Sequence, residues 1–281
     1  MTLEQKTYRY RLFLSGVSAL LLLLGSFQVN AELILTAPPR ETPDAGQKLY
    51  GPLAAELSSL LKQEVVYQHP GNWLAYQHDM RNDKYDIVFD GPHFISWRIK
   101  HIKHKAIVKL PGTLQFVIVG KKDDEKNKSL TDLVGRKVCG IPPPNLGTLT
   151  VYAAYDRPAQ QPVIVPIRGG FKKVFNAFKA GKCEGAVFRT TFYAKKLSEE
   201  DRAITAILHR SAALPNQGIS VSSRVDTAAQ KKITAALTKP EMPAIKSLLS
   251  RFGGKAKAFE PASDKDFANH HKLLEGVIFG W

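Results

Sequence analysis

Short apolar runs alternate along almost the whole chain with stretches whose apolar residues recur three and four apart, and this alternation constrains the fold most. LILT at 33–36, EVVY at 64–67, YDIVF at 85–89, KAIVK at 105–109, QFVIV at 115–119, KVCGI at 137–141, PVIVPI at 162–167 and EGAVF at 184–188 read as strands. Residues 203–208 and 219–222 continue the series. Leu49, Leu53, Leu57, Leu60 and Leu61 form one helical face, with Pro52 expected in its first turn, where a missing N–H is tolerated. Phe171, Val174, Phe175 and Phe178 form a second face, closed by Gly181. Further helices are expected around 72–81, 94–102, 228–237 and 242–251, with one running to about Tyr155 and a helical turn at 130–134. Ser263-Asp264-Lys265-Asp266 resembles a capping box with Asp in place of Glu, and opens a last helix. Pro166 must sit at a strand end or an edge. Strands separated by helices define parallel α/β units.

The first 31 residues stand apart. Lys6, Arg9 and Arg11 precede a 13-residue apolar run, Leu12 to Leu24, and Val29-Asn30-Ala31 follows. A bilayer span needs about 20 apolar residues, so an export leader cleaved near Ala31 is expected rather than an anchor. No cysteine lies near that site to carry a lipid. Removing the leader lowers the formal charge of +15 to +13. A positive field favours anionic partners. The basic residues are scattered and lack the aromatic interleaving of nucleic-acid binders, so nucleic acid is not expected as a partner.

Cys139 and Cys183 are the only cysteines. Without flanking histidines at ligand spacing they do not read as a metal site. In an oxidising compartment they read as a structural disulfide or as two inert buried thiols, and their spacing does not choose between these.

In open α/β sheets, ligands gather beyond the carboxyl ends of the strands, where helix N-termini present free N–H groups. The junctions here offer Arg40, Glu41 and Thr42; Asp90, Gly91 and His93; Asn145, Gly147 and Thr148; Arg168 to Gly170; and Arg189, Thr190 and Thr191. Guanidiniums, hydroxyls, an amide and small glycines suit a small oxyanion. Each residue taken singly reads more readily as a helix cap than as a ligand contact; only their concentration at several junctions points to a site. No GxSxG, HExxH or Walker-type loop is present. His101 and His104, or His270 and His271, are read as surface residues rather than metal ligands. An exported hydrolase using His93 with Asp90 is a third-ranked alternative.

The order of the parts is that of a known family. PPRETP, LYGPLAAELSSLL, YDIVFDGPHF, SLTDLVGRKVCG and AGKCEGAVF succeed one another after a leader. They resemble the periplasmic phosphate/phosphonate/phosphite-type solute-binding proteins of ABC transporters, over about residues 32–255. YDIVFDGPHF carries the resemblance best, with DLVGRKV next. The resemblance implies an α/β fold shaped as a two-lobed periplasmic-binding-protein clamp (type II-like), each lobe a mixed sheet flanked by helices. Lobe one would comprise 32–118 with 219–281 and lobe two 119–218, hinged near Val119–Lys121 and Gln217–Ser220. It also implies a monomer without cofactor or catalysis, closing on a small anionic ligand and read by an inner-membrane ABC permease or, alternatively, a sensor kinase. The candidate ligand-binding set is Arg40, Glu41, Tyr50, Asp90, His93, Asn145, Gly147, Thr148, Phe171, Arg189 and Thr190. Two positions differ from the family's phosphonate binders. Asn145-Leu146-Gly147-Thr148 replaces a Ser-Thr-Ser-Gly loop, and Phe171 stands where many have histidine, whereas the usual acidic residue is kept as Glu184. Phosphonate, another anion and a larger organic ligand therefore stay open.

Overall fold

The computed structural model describes residues 31–240 and 242–275. The expected leader lies outside the described residues apart from Ala31. Strand β1 (Leu33–Thr36) leads into helix α1 (Pro43–Leu61) through Thr42, whose Oγ1 accepts from the Ala45 N–H at 3.4 Å, with Pro43 preset for the first helical turn. The helix therefore starts six residues before Leu49, and Pro52 lies in its interior rather than its first turn. Pro52 and Lys48 are both exposed, so water can take the carbonyl that loses its partner.

The chain continues through β2 (Val65–Tyr67), α2 (Trp73–Arg81), β3 (Ile87–Asp90), α3 (Pro92–Ile102) and β4 (Lys105–Lys109). It crosses by β5 (Thr113–Leu114) to β6 (Phe116–Lys121), β7 (Lys137–Gly140), α4 (Leu146–Tyr152), β8 (Val163–Pro166), α5 (Phe171–Lys179), β9 (Gly185–Arg189), α6 (Thr190–Lys196), α7 (Glu199–Ala203) and β10 (Thr205–Arg210). It returns by β11 (Leu214–Pro215) to β12 (Gly218–Val221), α8 (Thr227–Leu237) and β13 (Glu260–Pro261). Ala203 closes a helix instead of opening a strand, since Ser198 caps the acidic turn Glu199–Asp201 ahead of it. The helix expected over 242–251 is broken into a 3-10 turn (Pro243–Ile245), one α turn (Lys246–Leu248) and a π turn (Leu249–Gly253) ahead of Gly254 at φ 63°. Ser263 and Asp266 do form a capping box, over the 3-10 turn Asp264–Phe267.

The strands form two sheets built to one plan. The first has the order β13-β4-β12-β3-β1-β2 and the second β10-β6-β9-β7-β8. In each, three parallel strands (β2-β1-β3 and β8-β7-β9) meet an antiparallel strand that arrives from the other half of the chain, β12 beside β3 and β6 beside β9. Pro166 falls at the end of edge strand β8, the place its missing N–H requires. The short antiparallel pair β5–β11 joins the sheets. Residues 110–115 and 211–217 thus carry the chain between them, and Phe116–Lys121 lies wholly in the second sheet.

Leu53 and Leu57 of α1 and Ile233 and Leu237 of α8 pack on Leu35, Phe89 and Ile219 of the first sheet. Val174, Phe175 and Phe178 of α5 pack on Val117, Val119 and Phe188 of the second, beside a Cys139–Cys183 disulfide. Fully burying one such side chain contributes about 1.5–3 kcal/mol. A third cluster spans both halves, with Tyr76, Phe94 and Trp97 meeting Leu149 of α4 and Leu274 of the 3-10 turn His270–Leu274.

Candidate functional site

The two aspartates of YDIVFDGPHF serve different ends of β3. Asp86 accepts from the Ile34 N–H at 2.8 Å, from Ser222 Oγ at 3.1 Å and from Arg224 Nε. It therefore ties β1, β3 and the end of β12 together and faces away from any junction. Asp90 ends β3 and is fully buried. Its Oδ2 accepts from the Tyr76 hydroxyl and faces Arg98 Nε at 3.6 Å, and its Oδ1 accepts from the Gly91 N–H at 2.9 Å. Arg98 Nη2 donates to the Tyr76 hydroxyl at 2.9 Å. Burial pushes the Asp90 carboxyl up, while Arg98, Arg40 and the Tyr76 and Gly91 donors oppose it. Tyr76 and Arg98 were not among the sequence candidates.

Arg40 and Glu41 follow β1, and Tyr50 reaches them from α1. Arg40 Nη2 lies 4.0 Å from Asp90 Oδ1, and its guanidinium sits 5.5 Å above the Phe252 ring. Glu41 keeps 8% of its side chain exposed and meets Arg251 Nη2 at 3.4 Å. Burial raises the Tyr50 phenol well above its ordinary range, with Arg40, Glu41 and Asp90 all acting on it. These residues and His93, which also feels Arg40, form one neighbourhood at the carboxyl ends of β1 and β3.

His93, in the first turn of α3, reaches the other half of the chain. Its Nε2 bonds the Pro144 carbonyl at 3.2 Å. A carbonyl only accepts, so Nε2 carries the proton and Nδ1 is an acceptor. Burial drops the ring to about 3, against the Pro144 bond, which keeps it neutral at physiological pH. Beyond Pro144, Asn145 Oδ1 caps α4 by accepting from the Gly147 N–H at 3.0 Å, and Thr148 Oγ1 donates to the Ile141 carbonyl. The Gly147 N–H and the Thr148 hydroxyl are thus committed to their own turn. Phe171 packs against Phe192 and Phe188, at ring distances of 5.5 and 6.2 Å. Arg189 ends β9 and Thr190 opens α6, where the Thr190 N–H bonds the Gln115 carbonyl at 2.8 Å. Burial pulls the Arg189 guanidinium below its ordinary range.

Buried polar atoms without a hydrogen-bond partner concentrate here. They are Arg40 Nη1, Glu41 Oε2, the Tyr50 hydroxyl, His93 Nδ1, Arg98 Nε and Nη1, Arg189 Nε and Thr190 Oγ1, with Gln217 Oε1 on the returning connection. Native interiors leave few such atoms, because each costs about 1–3 kcal/mol. Both guanidinium donors and bare acceptors (Glu41, His93, Gln217) are represented. No group of three or more His, Cys, Asp or Glu able to hold a metal exists among the described residues. His104 is fully buried rather than superficial, bonding Asp83 at 3.0 Å and meeting Ser220 at 3.4 Å.

Two sheets of matching plan, each with a strand lent by the other half, define a two-lobed binding protein. The model of the family described as ABC transporter, phosphonate, periplasmic substrate-binding protein matches residues 35–267, and the chain belongs to that family. It is a family of substrate-binding proteins, not of enzymes, which sets the hydrolase aside. Solved structures agree on the fold. A Xanthomonas citri protein bound to ATP superposes with TM-score 0.70 at 11% identity, over 88% of this chain and 99% of that one. PhnD1 from Prochlorococcus marinus in complex with methylphosphonate gives 0.63 at 15%, over 87% and 97%. A binding protein component of an ABC phosphonate transporter from Pseudomonas aeruginosa gives 0.59 at 13%, over 86% and 85%. No curated protein matches the chain.

Proposed function

We propose that this protein captures a small anion bearing hydrogen-bond donors of its own, in the cleft between its lobes, and delivers it as a monomer to an ABC permease. The supporting observation is the set of unpartnered buried atoms. Arg40 and Arg189 offer charged donors, while Glu41 Oε2, His93 Nδ1 and Gln217 Oε1 offer only lone pairs. A protonated oxyanion, or an anion carrying an amino or hydroxyl group, answers both. A bare sulfate-like ion answers the first alone. The connections at 110–115 and 211–217 would form the hinge, so that lobe two begins a few residues before Val119. The leader would be removed near Ala31 on export. In the closed state the His93–Pro144 bond links the walls, and ligand contacts would favour that state by mass action.

Thermal unfolding against a panel of phosphate, phosphite, methylphosphonate, an aminoalkylphosphonate, sulfate and small carboxylates tests the proposal. A ligand at a hundred times its Kd adds about 2.7 kcal/mol of stability, so Tm should climb with concentration. Donor-bearing anions should produce the largest shifts. A flat response across the panel rules the proposal out.

A further inference from the structure

Two guanidiniums flank one buried carboxylate, and they are not equivalent. Asp90 is served from within its own lobe: Oδ2 takes the Tyr76 hydroxyl and faces Arg98, and Oδ1 takes the Gly91 N–H. Arg98 is fully buried and fixed by its 2.9 Å bond to Tyr76. Arg40 stands 4.0 Å from Oδ1, beyond hydrogen-bond reach, with Nη1 buried and unpartnered and with 24% of its side chain still exposed. One carboxylate between two guanidiniums leaves one positive charge uncompensated, and geometry assigns it to Arg40.

The facing lobe strengthens that assignment. Two donors of its loop after β7 are turned inward, the Gly147 N–H to Asn145 and the Thr148 hydroxyl to Ile141. Those two donors are spent within the loop, which leaves the Arg40 guanidinium as the charged donor beside Asp90. Without Arg98, Asp90 would be a buried carboxylate whose nearest cation is Arg40, and closing a 4.0 Å gap would silence the anchor.

We infer that Arg98 sets the anion affinity of the cleft without touching the anion: by neutralising Asp90 it leaves Arg40 free as the anchor. Arg98 is thus a positioning residue, and Asp90 is a counter-charge rather than a ligand contact. The inference rests on the proposed anion-binding function.

Calorimetric titration of the wild type and of Arg98→Met, Asp90→Asn and the double variant with methylphosphonate and inorganic phosphate tests it. Arg98→Met should weaken binding about tenfold or more, as expected when a desolvated charge loses its partner. Asp90→Asn should tighten binding, by roughly threefold or more, because it releases Arg40 from a competing charge. The double variant should return to within about threefold of wild type, which a merely structural role for Arg98 cannot produce. Arg98→Met strands Asp90 in the interior and is at risk of misfolding. Asp90→Asn retains an oxygen for a donor bond and decides by itself. Weaker anion binding by Asp90→Asn, or a double variant as poor as Arg98→Met, overturns the inference alone. A wild type that binds neither anion overturns the proposed function and the inference together.

Discussion

Arg98 donates from Nη2 to the Tyr76 hydroxyl at 2.9 Å, and that hydroxyl gives its own proton to Asp90. Guanidinium only donates, so the phenol is fixed as acceptor on one side and donor on the other. Tyr76→Phe leaves Asp90 Oδ2 and Arg98 Nη2 each a partner short in a fully buried site. The unfolding free energy should fall by about 1–3 kcal/mol in denaturant titrations. A change under about 0.5 kcal/mol would show that the bridge is dispensable.

Gly91 lies at the entry to α3 with an ordinary φ of −78°, so its value is spatial and not conformational. A Cβ there would come 2.8 Å from His93 Cε1 and 3.0 Å from Nδ1. Gly91→Ala should turn the imidazole off the Pro144 carbonyl and weaken ligand binding about tenfold, with a stability loss of about 1–3 kcal/mol. Calorimetry on the folded variant checks this, and unchanged affinity would remove His93 from the site.

Asp266 contributes to the acid dependence of stability. Lys109 Nζ at 2.6 Å, and then the Ser263 hydroxyl and N–H, both at 2.8 Å, hold its carboxyl at about 2. The folded value lies below the unfolded one, about 3.9. Its contribution is therefore present above about pH 4 and lost as pH falls towards 2. Asp266→Asn should give a shallower decline in stability between about pH 5 and 2 than wild type. Identical acid limbs would contradict the assignment.

Cys139 on β7 and Cys183 in the turn after α5 are joined across 44 residues, with Cα atoms 5.7 Å apart. Closing a loop of that size restricts the unfolded chain by about 3–4 kcal/mol. The double serine variant should unfold at lower temperature while the folded fraction binds ligand as before, because neither cysteine is among the cleft residues. A loss of affinity without loss of stability would contradict this.

Periodicity placed α5 well, since Phe171, Val174, Phe175 and Phe178 mark a helix that runs Phe171–Lys179. It misplaced the start of α1, because Pro52 was assumed to need the first turn, whereas an exposed interior position tolerates it and Thr42-Pro43 is the stronger start signal. Arg40, Asp90, His93, Arg189 and Thr190 were legible as strand-end residues, which parallel sheets gather on one side. Arg98 was not, because a basic residue in PHFISWRIKHI reads as solvent-facing. The available signal was Phe94, Ile95 and Trp97, large apolar residues that mark the early turns of α3 as buried. Gln217, with its buried unpartnered Oε1, was not among the candidates because a residue on a connection between sheets acquires its neighbours only in three dimensions. Asn145 and Thr148 were legible as donors, but the direction of a short side chain at a turn is settled by local bonds that spacing does not reveal.

The most direct measurement is the calorimetric affinity of the wild type and Arg40→Met for methylphosphonate and phosphate. Binding by the wild type, weakened about a hundredfold or more in Arg40→Met, is the expected result for loss of a desolvated charged contact. Equal affinities in the two proteins would contradict an anion anchored on Arg40.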